Sequence, residues 1–336
     1  MKVVMDQTPM VRGSAFHPFC RALEQTGVDT GRFLGGVGIG PRFSGLNDPC
    51  EDFVPYRSIS EFIARAYLKC GESDIGLLAG SQTSIDSIGA FGWILRGCVT
   101  VRELIYKIAE VMPTVNFGTT SWVGPGQEPG SLRFHHRQLI QTMHAHVDAY
   151  AIQIFLDAVR IGAGPEWRPK WIALHQSAGR SDHYELLGEA ERDSLADYLA
   201  FDVSSDVLAC RLEGRLQPEG PSVDDWVAGH VPPTELEDVL NNLICAGFGA
   251  RIPSLNEAAG VLGMSSRTLR RRLGEQAISY RELVGRARIR EAFRMLESGQ
   301  ASAVEVSRQL CYSDPANFTH AFRKWTGVPP SEYARR

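Results

Sequence analysis

The feature that most constrains the fold of this chain is a two-helix unit near its C-terminus. Ser254 and Glu257 form the S-x-x-E pattern of a capping box, which predicts a helix that begins there and runs through Leu262. Gly263 follows at the position where a left-handed glycine ends a helix, and Ser265 then caps a second helix. Two short helices joined by a tight turn that contains glycine predict a helix-turn-helix unit.

The same unit occurs a second time closer to the C-terminus. Ser302 and Glu305 form another capping box. Asp314 is placed to cap the next helix, and Pro315 occupies its first position, where the missing N–H costs nothing. One long helix, predicted over 280–298, connects the two units. The pair can therefore present two recognition helices to successive turns on one face of a DNA duplex, without a dimer.

The charge of the chain is distributed unevenly. The net charge is −4, yet from Arg251 onward there are 15 Arg and Lys residues against 8 Asp and Glu, and 20 basic and 31 acidic residues precede Arg251. All but one of the basic residues in the C-terminal part are arginines, whose planar donors suit guanine edges and phosphates. This asymmetry favours a nucleic-acid partner, and a solvated basic surface is the alternative interpretation.

These motifs resemble the AraC/XylS family of bacterial transcription regulators. The resemblance is carried by LNEAAGVLGMSSRTLRRRL (255–273), RIREAFRML (288–296) and SAVEVSRQLCYSDPANFTHAFRKWTGVPPSEYARR (302–336). Residues 1–220 are similar in length and placement, and in the segment GAFGWILRGCVTVRELI (89–105), to the arabinose-binding-like, ornithine-regulator-like branch. The resemblance implies a DNA-binding domain behind a ligand-binding or dimerisation domain, and activation rather than repression.

One residue departs from the pattern of that family. The second turn contains Cys311 where members of the family usually have glycine. A residue with a Cβ atom at this position must either adopt a left-handed backbone or rearrange the turn. We expect one of these two outcomes in the second unit.

The first recognition helix is predicted to expose three arginines. Leu269 and Leu273 are four residues apart and should pack inward, so that Arg267, Arg270 and Arg271 face away from them. In a major groove each arginine can bind guanine O6 and N7, which is worth about 1–3 kcal/mol of discrimination. By the resemblance, these positions match base-reading and groove-wall positions, and a solvated arginine cluster is the alternative.

The second recognition helix is predicted to bury Phe318 and Phe322. Its outward or flanking residues are Asn317, His320, Arg323 and Lys324. Asn suits adenine, whereas Lys suits a phosphate. His320 stands where many members of the family have Arg, and a neutral imidazole offers fewer donors. We therefore expect the second unit to read its half of the site more weakly.

The region before the linker shows mixed helix and strand signals, which predict an α+β effector or dimerisation domain. The predicted helices cover 14–25, 58–70, 99–111 and 146–160; a hairpin covers 122–135; strands or strand–helix junctions cover 171–175, 200–203 and 207–210. The predicted division is therefore a domain at 1–220, a linker at 221–233, and an all-α domain at 234–336 that begins with a helix capped by Thr234 and Glu237.

No catalytic or metal-binding motif stands out in the N-terminal region. His135–His136 and His144-x-His146 have poor geometry for one metal ion, since residues two apart on a helix point in different directions. GGVGIG (35–40) follows no clear strand, and the seven cysteines contain no CxxC pair. Five aromatic residues are candidates for pocket walls, with ordinary core as the alternative: Trp93, Trp122, Trp167, Trp171 and Phe117.

Together these features predict a cytoplasmic, sequence-specific transcription regulator that is not an enzyme. Its expected partners are double-stranded promoter DNA, a small-molecule effector of unknown identity and a second copy of the chain, with RNA polymerase as an open possibility. No metal or cofactor is expected. No membrane contact is expected either, since no apolar run in the sequence reaches the length of about 18 residues that a membrane-spanning helix needs. The alternatives are an effector-independent dimeric regulator, an enzyme or binding protein with an appended DNA-binding domain, and an architectural DNA binder.

Overall fold

The structure, a computed structural model, describes residues 10–44, 52–70, 75–85, 88–138, 144–175, 190–212, 235–297 and 301–333. Within these ranges the N-terminal part mixes helices and strands, and the part from 235 onward is helical. The predicted fold class, an α+β domain followed by an all-α domain with two helix-turn-helix units, is therefore confirmed. The predicted linker at 221–233 lies outside the described residues, as does Thr234.

The N-terminal elements occur in the following order. The strands are β1 (Met10–Arg12), β2 (Phe53–Pro55), β3 (Thr119–Pro125), β4 (Leu132–Gln138), β5 (Trp171–His175), β6 (Glu191–Ala196) and β7 (Leu199–Val203). The helices are α1 (Gly13–Gln25), α2 (Thr30–Gly35), α3 (Tyr56–Cys70), α4 (Ile75–Ser81), α5 (Gly89–Leu95), α6 (Val101–Val115), α7 (His144–Ala163) and α8 (Ser205–Leu208), with a 3-10 turn at Pro41–Ser44.

A five-stranded sheet in the order β3-β4-β7-β5-β6 forms the centre of this domain. β5 and β6 run parallel, and the other neighbours are antiparallel. The predicted hairpin is confirmed: β3 pairs with β4, and Trp122 lies opposite His135. One face of the sheet packs against α6 and α7, where the ring of Phe134 lies 4.8 Å from that of Phe155. The α-helices thereby bury this face of the sheet.

A second apolar core lies where α1 to α4 pack around the small ribbon of β1 and β2. Phe16 and Phe62 are buried at its centre, with their ring centroids 6.2 Å apart. The ribbon is antiparallel and pairs Val11 with Val54. Because side chains alternate across a strand, Val11 and Val54 face this core, while Met10 lies on the opposite face of the ribbon. The ribbon thus has an inner and an outer apolar face.

Two local predictions differ in detail from the structure. Of the two possibilities given for 207–210, a strand or a strand–helix junction, the second is observed: β7 ends at Val203 and the short helix Ser205–Leu208 follows, closed by backbone bonds from Ala209 and Cys210. The helix predicted from Thr234 begins instead at Leu236, and Glu235 at its cap position makes no side-chain cap bond. The carboxylate of Glu237, the predicted capping partner, pairs with Arg286 at 3.2 Å, and the predicted cap Thr234 lies outside the described residues.

The C-terminal domain is an all-helical bundle around one core. Its helices are α9 (Leu236–Ala246), α10 (Leu255–Val261), α11 (Ser266–Glu275), α12 (Tyr280–Glu297), α13 (Ala303–Gln309), α14 (Pro315–Thr326) and α15 (Pro330–Tyr333). α10–α11 and α13–α14 are the two helix-turn-helix units, and α12 is the predicted connecting helix. None of the described helices in either domain is long and apolar enough to cross a membrane.

The two units close their turns with the same backbone geometry. Gly263 has φ +67° and Cys311 has φ +56°, so the cysteine adopts the left-handed conformation that glycine usually provides. The N–H of the next residue, Met264 or Tyr312, bonds the carbonyl five residues earlier in both units, which is the Schellman pattern. The first of the two outcomes expected for Cys311 is therefore the observed one.

The left-handed turn at Gly263 gives a stability prediction. Gly263→Ala should lower the free energy of unfolding by about 1 kcal/mol, because a left-handed residue with a Cβ costs about 1–2 kcal/mol, although the added atom would meet no neighbour. Gly274→Ala is the matched control: it also meets no neighbour but lies in helical α11, so it should stabilise by up to about 1 kcal/mol. Urea unfolding measures both. Equal effects of the same sign would contradict the role of the turn.

Candidate nucleic-acid interface and ligand cavity

The first recognition helix, α11, presents its arginines as predicted. The Ser265 hydroxyl accepts the N–H of Thr268, which fixes where the helix begins. Leu269 and Leu273 are buried in the core of the C-terminal domain. Arg267, Arg270 and Arg271 are all exposed on the other side of the helix. The helix therefore separates an apolar inner face from an outer face that carries the three predicted side chains.

The donors on this outer face are available to an external partner. Arg271 donates to Glu275 one turn further along the helix. Arg267 and Arg270 form no hydrogen bond or ion pair with any residue in the described part of the chain. Because an arginine side chain has five N–H donors in a planar fork, both residues keep their full capacity to bind a base edge or a phosphate.

The second recognition helix, α14, follows the same plan with different chemistry. The carboxylate of Asp314 accepts the N–H of Ala316 at 2.7 Å, and Pro315 begins the helix. Phe318 and Phe322 are fully buried, with ring centroids 5.6 Å apart. The four predicted contact residues are exposed: Asn317, His320, Arg323 and Lys324. This outer face carries two cations, one amide and one imidazole.

Arg288 of the connecting helix α12 supports the second turn. Its Nε donates to the carbonyl of Leu310 at 3.0 Å, and a terminal nitrogen donates to the carbonyl of Cys311 at 2.9 Å. Its guanidinium also lies 4.1 Å from the ring centre of Tyr312. These carbonyls follow the end of α13, where backbone acceptors need partners and positive charge is favourable. Arg288 therefore anchors the turn that has no glycine.

The N-terminal domain contains a cavity between its helices and the sheet. The space open to the centre of a water-sized sphere is about 80 Å³. The walls come from β1, α1, α3, α5, α6, β4 and α7 and consist mostly of apolar side chains. The polar residues among the walls are Tyr56, Ser60, Asn116, His136 and Tyr150. None of the five aromatic residues considered from the sequence lines this cavity; Trp167 and Trp171 line a separate cleft near Asp202.

Two polar residues of the cavity wall remain uncharged at neutral pH. Burial lowers the pKa of His136 to about 4, and its Nδ1 lies 2.9 Å from the hydroxyl of Ser121. Burial raises the pKa of Tyr150, and its enclosed hydroxyl has no hydrogen-bond partner among the described residues. A buried hydroxyl without a partner lowers the stability of the folded state, because the hydrogen bond that it made to water is not replaced.

A short hydrogen-bond chain leads from the cavity wall to a buried carboxyl group. Tyr56 donates to the amide oxygen of Gln138, whose nitrogen donates to Asp148 at 3.0 Å. Burial raises the pKa of Asp148 to about 7, and the bond from Gln138 opposes that rise. The other carboxyl oxygen of Asp148 is buried without a partner among the described residues. Proton uptake by Asp148 near neutral pH would relieve the charge in this wall.

The cavity wall continues directly into a contact with the C-terminal domain. On the outer face of the β1–β2 ribbon, Met10 and Phe53 pack against Val239 of α9. Next to Tyr56, which lines the cavity, Arg57 donates to the carbonyl of Gly260 in α10 at 3.0 Å. The same short segments therefore touch both the cavity and the first helix-turn-helix unit.

A close backbone contact strengthens this junction. The N–H of Gly40 donates to the carbonyl of Ala246, at the end of α9, at 2.6 Å. A Cβ atom on Gly40 would lie 1.8 Å from the carbonyl oxygen of Phe248, so only glycine permits the observed approach. Ala246 is itself part of the apolar core of α1 to α4. Helix α9 is thus packed into both domains.

Three of the four histidines considered as metal ligands have other partners, and the side chain of His144 lies outside the described part of the chain. His135 stacks on Trp122 at 4.7 Å, and His146 packs on Tyr67 at 4.4 Å. Within the described ranges no group of three or more His, Cys, Asp or Glu side chains lies close enough to hold a metal ion. The residues that sequence reasoning missed are the polar ones of the cavity, because they come from separate elements and share no motif.

The buried carboxyl group gives a prediction for the pH dependence of stability. Asp148 binds its proton more tightly in the folded state than in the unfolded state. Its stabilising contribution to the free energy of unfolding is therefore fully present below about pH 4 and is lost as pH rises to about 7. Relative to Asp148→Asn, the wild-type free energy of unfolding should fall by a few kcal/mol over this interval, since one pKa unit is about 1.4 kcal/mol. Urea unfolding from pH 4 to 8 measures the difference.

His136 provides the opposite control. Its pKa is lowered on folding, so its contribution is present above about pH 6.5 and is lost as pH falls towards 4. The difference between wild type and His136→Gln should therefore change with pH in the reverse direction. A difference between wild type and Asp148→Asn that does not vary with pH would show that the carboxyl group is not buried as described.

Comparison with known proteins places both domains among transcription regulators. The family model for the arabinose-binding domain of AraC transcription regulators, N-terminal, matches residues 27–208. A helix-turn-helix domain model matches residues 258–336. Each match falls on the part of the chain in which the corresponding architecture was found.

Curated relatives agree with these matches. An uncharacterized HTH-type transcriptional regulator from Mycobacterium tuberculosis is 26% identical over 350 aligned positions, which cover 94% of each chain. The HTH-type transcriptional regulator VqsM from Pseudomonas aeruginosa is 41% identical over 81 residues, 24% of this chain and 25% of VqsM. The ornithine utilization regulator from Pseudomonas aeruginosa is 40% identical over 81 residues, 24% of each chain. The similarity to the first relative thus extends through both domains.

Proposed function

This chain belongs to the AraC family of transcription regulators, and we propose that it is a sequence-specific activator that reads promoter DNA with α11 and α14. It is a DNA-binding regulator with an effector domain of the arabinose-binding type. The observation that carries the proposal is the pair of exposed polar faces on two units with the same turn geometry. We keep the division at 1–220, 221–233 and 234–336 as part of this proposal.

We assign the strongest base reading to the first unit. Arg267 and Arg270, which have no partner among the described residues, would bind guanine O6 and N7 in the major groove. Arg271 would have to exchange Glu275 for a phosphate or a base, so its contribution is smaller. This ranking follows from which donors are already engaged in the free protein.

The second unit would bind its half of the site with fewer base contacts. Asn317 near the start of α14 suits adenine N6 and N7, and His320 adds one imidazole nitrogen. Arg323 and Lys324 lie in the last turns of the helix and would bind phosphates at its flank. We therefore propose that the first unit sets sequence preference and that the second sets register and affinity.

We propose that an effector held in the N-terminal cavity acts on the DNA-binding domain through the β1–β2 ribbon and the start of α3. Val11 and Tyr56 line the cavity, while the neighbouring Met10 and Arg57 touch α9 and α10. A displacement of the wall at Val11 or Tyr56 would be passed to Met10 or Arg57, because each pair is joined by one planar peptide bond. Ligand binding would then shift the population of domain arrangements.

The remaining parts of the proposal rest on the family rather than on a particular contact. We propose that the protein acts in the cytoplasm as a homodimer, contacts RNA polymerase, and has no enzymatic activity; the support is that the matched relatives are transcription regulators. An effector-independent dimeric regulator is the second candidate. Binding of a small molecule that changes affinity for DNA separates the two.

The proposed DNA contacts predict two kinds of mutant. Arg267→Ala should relax preference at one base position, with a loss of about 1–3 kcal/mol on the preferred site. Lys324→Ala should weaken binding to all sequences. It should also reduce the slope of the logarithm of the binding constant against the logarithm of salt concentration by about one. Competition binding with a site library at several salt concentrations measures both effects.

Arg286→Ala is the charge-matched control for these variants. Arg286 is an exposed arginine of the same domain but lies on α12, where it pairs with Glu237. It should leave base preference unchanged. If Arg267→Ala weakened all sequences equally, the protein would be an architectural binder, and the proposed reading role of α11 would be wrong.

The junction predicts an effect of one glycine substitution. Gly40→Ala should separate the loop of Gly40 from α9, because the new Cβ would overlap the carbonyl of Phe248. Hydrogen exchange of the amide at residue 40 and of residues 244–249 should accelerate about tenfold or more, which corresponds to about 1.4 kcal/mol. Gly35→Ala is the control, since its Cβ would meet Ala250 at an ordinary 3.8 Å. Equal exchange in both variants would contradict a packed junction.

A further inference from the structure

We infer that the N-terminal cavity selects a small, uncharged and mainly apolar molecule that carries one hydrogen-bonding group. This inference rests on the proposed function, in which the cavity holds the effector, and it names the chemical class of that effector. Three properties of the cavity carry it: its size, its apolar walls and an enclosed hydroxyl group without a partner.

The size of the cavity limits the ligand to a single ring or a short chain. About 80 Å³ is open to the centre of a water-sized sphere. On this scale one water takes about 10–15 Å³, and an apolar cavity of roughly 150 Å³ accepts benzene. The open space therefore matches roughly five to eight water-sized atoms, and because it is smaller than the cavity that accepts benzene, a single ring enters only if wall side chains such as Met112 move outward.

The walls of the cavity favour an apolar ligand over a charged one. Aromatic and aliphatic side chains from five helices dominate the surface, among them Phe16, Phe19, Ile59, Phe91, Ile154 and Phe155. Among the described residues, no Lys, Arg, Asp or Glu side chain lines the cavity. A charged ligand would therefore lose its hydration without gaining a counter-ion at the wall.

We assign the polar contact of the ligand to the hydroxyl of Tyr150, which is the buried side-chain atom of the wall that has no partner among the described residues. Tyr150 lines the cavity and packs against Phe19, with ring centroids 4.9 Å apart. Its hydroxyl is enclosed by protein and has no hydrogen-bond partner among the described residues. Since burial raises its pKa, it stays protonated and can both donate and accept. A ligand hydroxyl or carbonyl oxygen would satisfy it.

The neighbouring titratable groups favour the same class. His136 is neutral at pH 7, because burial holds its pKa at about 4, so it offers no charge to an anion. Asp148 is reached only indirectly, through Gln138 and Tyr56, and its carboxyl group would repel an anion further. A cationic amine near Asp148 is the one charged alternative, and benzylamine represents it among the compounds tested.

These walls disfavour the two ligand types suggested by the names of the family and of one relative. A pentose such as arabinose carries several hydroxyl groups, and ornithine is charged at three positions. Each would leave polar groups unpaired in this cavity, which is more costly than leaving them in water. The arabinose-binding architecture is therefore retained here with a different ligand chemistry.

The test uses the full-length protein and small ligands of seven to ten non-hydrogen atoms. Phenol and 1-hexanol represent the inferred class; toluene lacks the polar group; benzoate and benzylamine carry opposite charges; L-arabinose and L-ornithine represent the polar alternatives. Calorimetry and thermal shift measure binding. We expect phenol and 1-hexanol to bind more tightly than toluene, and the charged and polar compounds to bind at least tenfold more weakly than phenol.

Two variants locate the site. Tyr150→Phe keeps the ring and removes the hydroxyl. It should therefore weaken the binding of phenol and 1-hexanol about fivefold to tenfold and leave the binding of toluene unchanged. Ala151→Leu fills the space beside it and should weaken all three neutral ligands. If Tyr150→Phe leaves phenol binding unchanged, or if benzoate, benzylamine, arabinose or ornithine binds best, the inferred class is wrong.

Measuring ligand binding and DNA affinity separately distinguishes failure of the inferred ligand class from failure of the proposed effector role. If phenol binds through Tyr150 but leaves DNA affinity unchanged, the ligand class stands and the proposed effector role of this cavity fails. If a charged or polar compound binds instead and changes DNA affinity, the proposed regulation stands and the inferred class fails. If no compound of the panel binds, the inference is overturned while the DNA-binding measurements remain an independent test of the proposed function.

Discussion

The left-handed backbone turn between the two helices of each unit is the constraint on which the DNA-binding half depends. It closes α10 and α13 with the same pair of backbone hydrogen bonds and so sets the direction in which α11 and α14 leave. In the first unit glycine provides the conformation at Gly263. In the second unit Cys311 adopts it, and Arg288 holds the adjacent carbonyl groups from the connecting helix. One geometry is therefore reached by two different local chemistries.

The N-terminal half depends on a thin shared wall. The β1–β2 ribbon is only three residues long on each side, so inner residues that line the cavity and outer residues that touch the C-terminal domain are direct neighbours. Gly40 and Arg57 extend this contact to α9 and α10 through two backbone carbonyl groups. Backbone contacts of this kind tolerate little displacement. This shared wall is the structural basis of the proposed coupling between the cavity and the DNA-binding domain.

The sequence predicted the C-terminal domain well, because its signals are local. Capping boxes at Ser254 and Ser302, the glycine at 263 and the inward pairs of each recognition helix are read within one or two turns. The cavity could not be predicted, because Tyr56, His136 and Tyr150 lie on three separate elements and meet only through tertiary packing. The ion pair between Glu237 and Arg286 could not be predicted for the same reason, since its partners are 49 residues apart and no local pattern reveals it.

The central claim is that two recognition helices, held by one connecting helix, read one face of promoter DNA. Hydroxyl-radical footprinting of the full-length protein on the DNA upstream of its own gene, at physiological salt, tests this most directly. We expect two protected patches on the same face of the duplex, separated by one helical turn of about 10 base pairs, with Arg267→Ala weakening protection at one of them. Absence of protection, or protection without periodicity along the whole fragment, would contradict it.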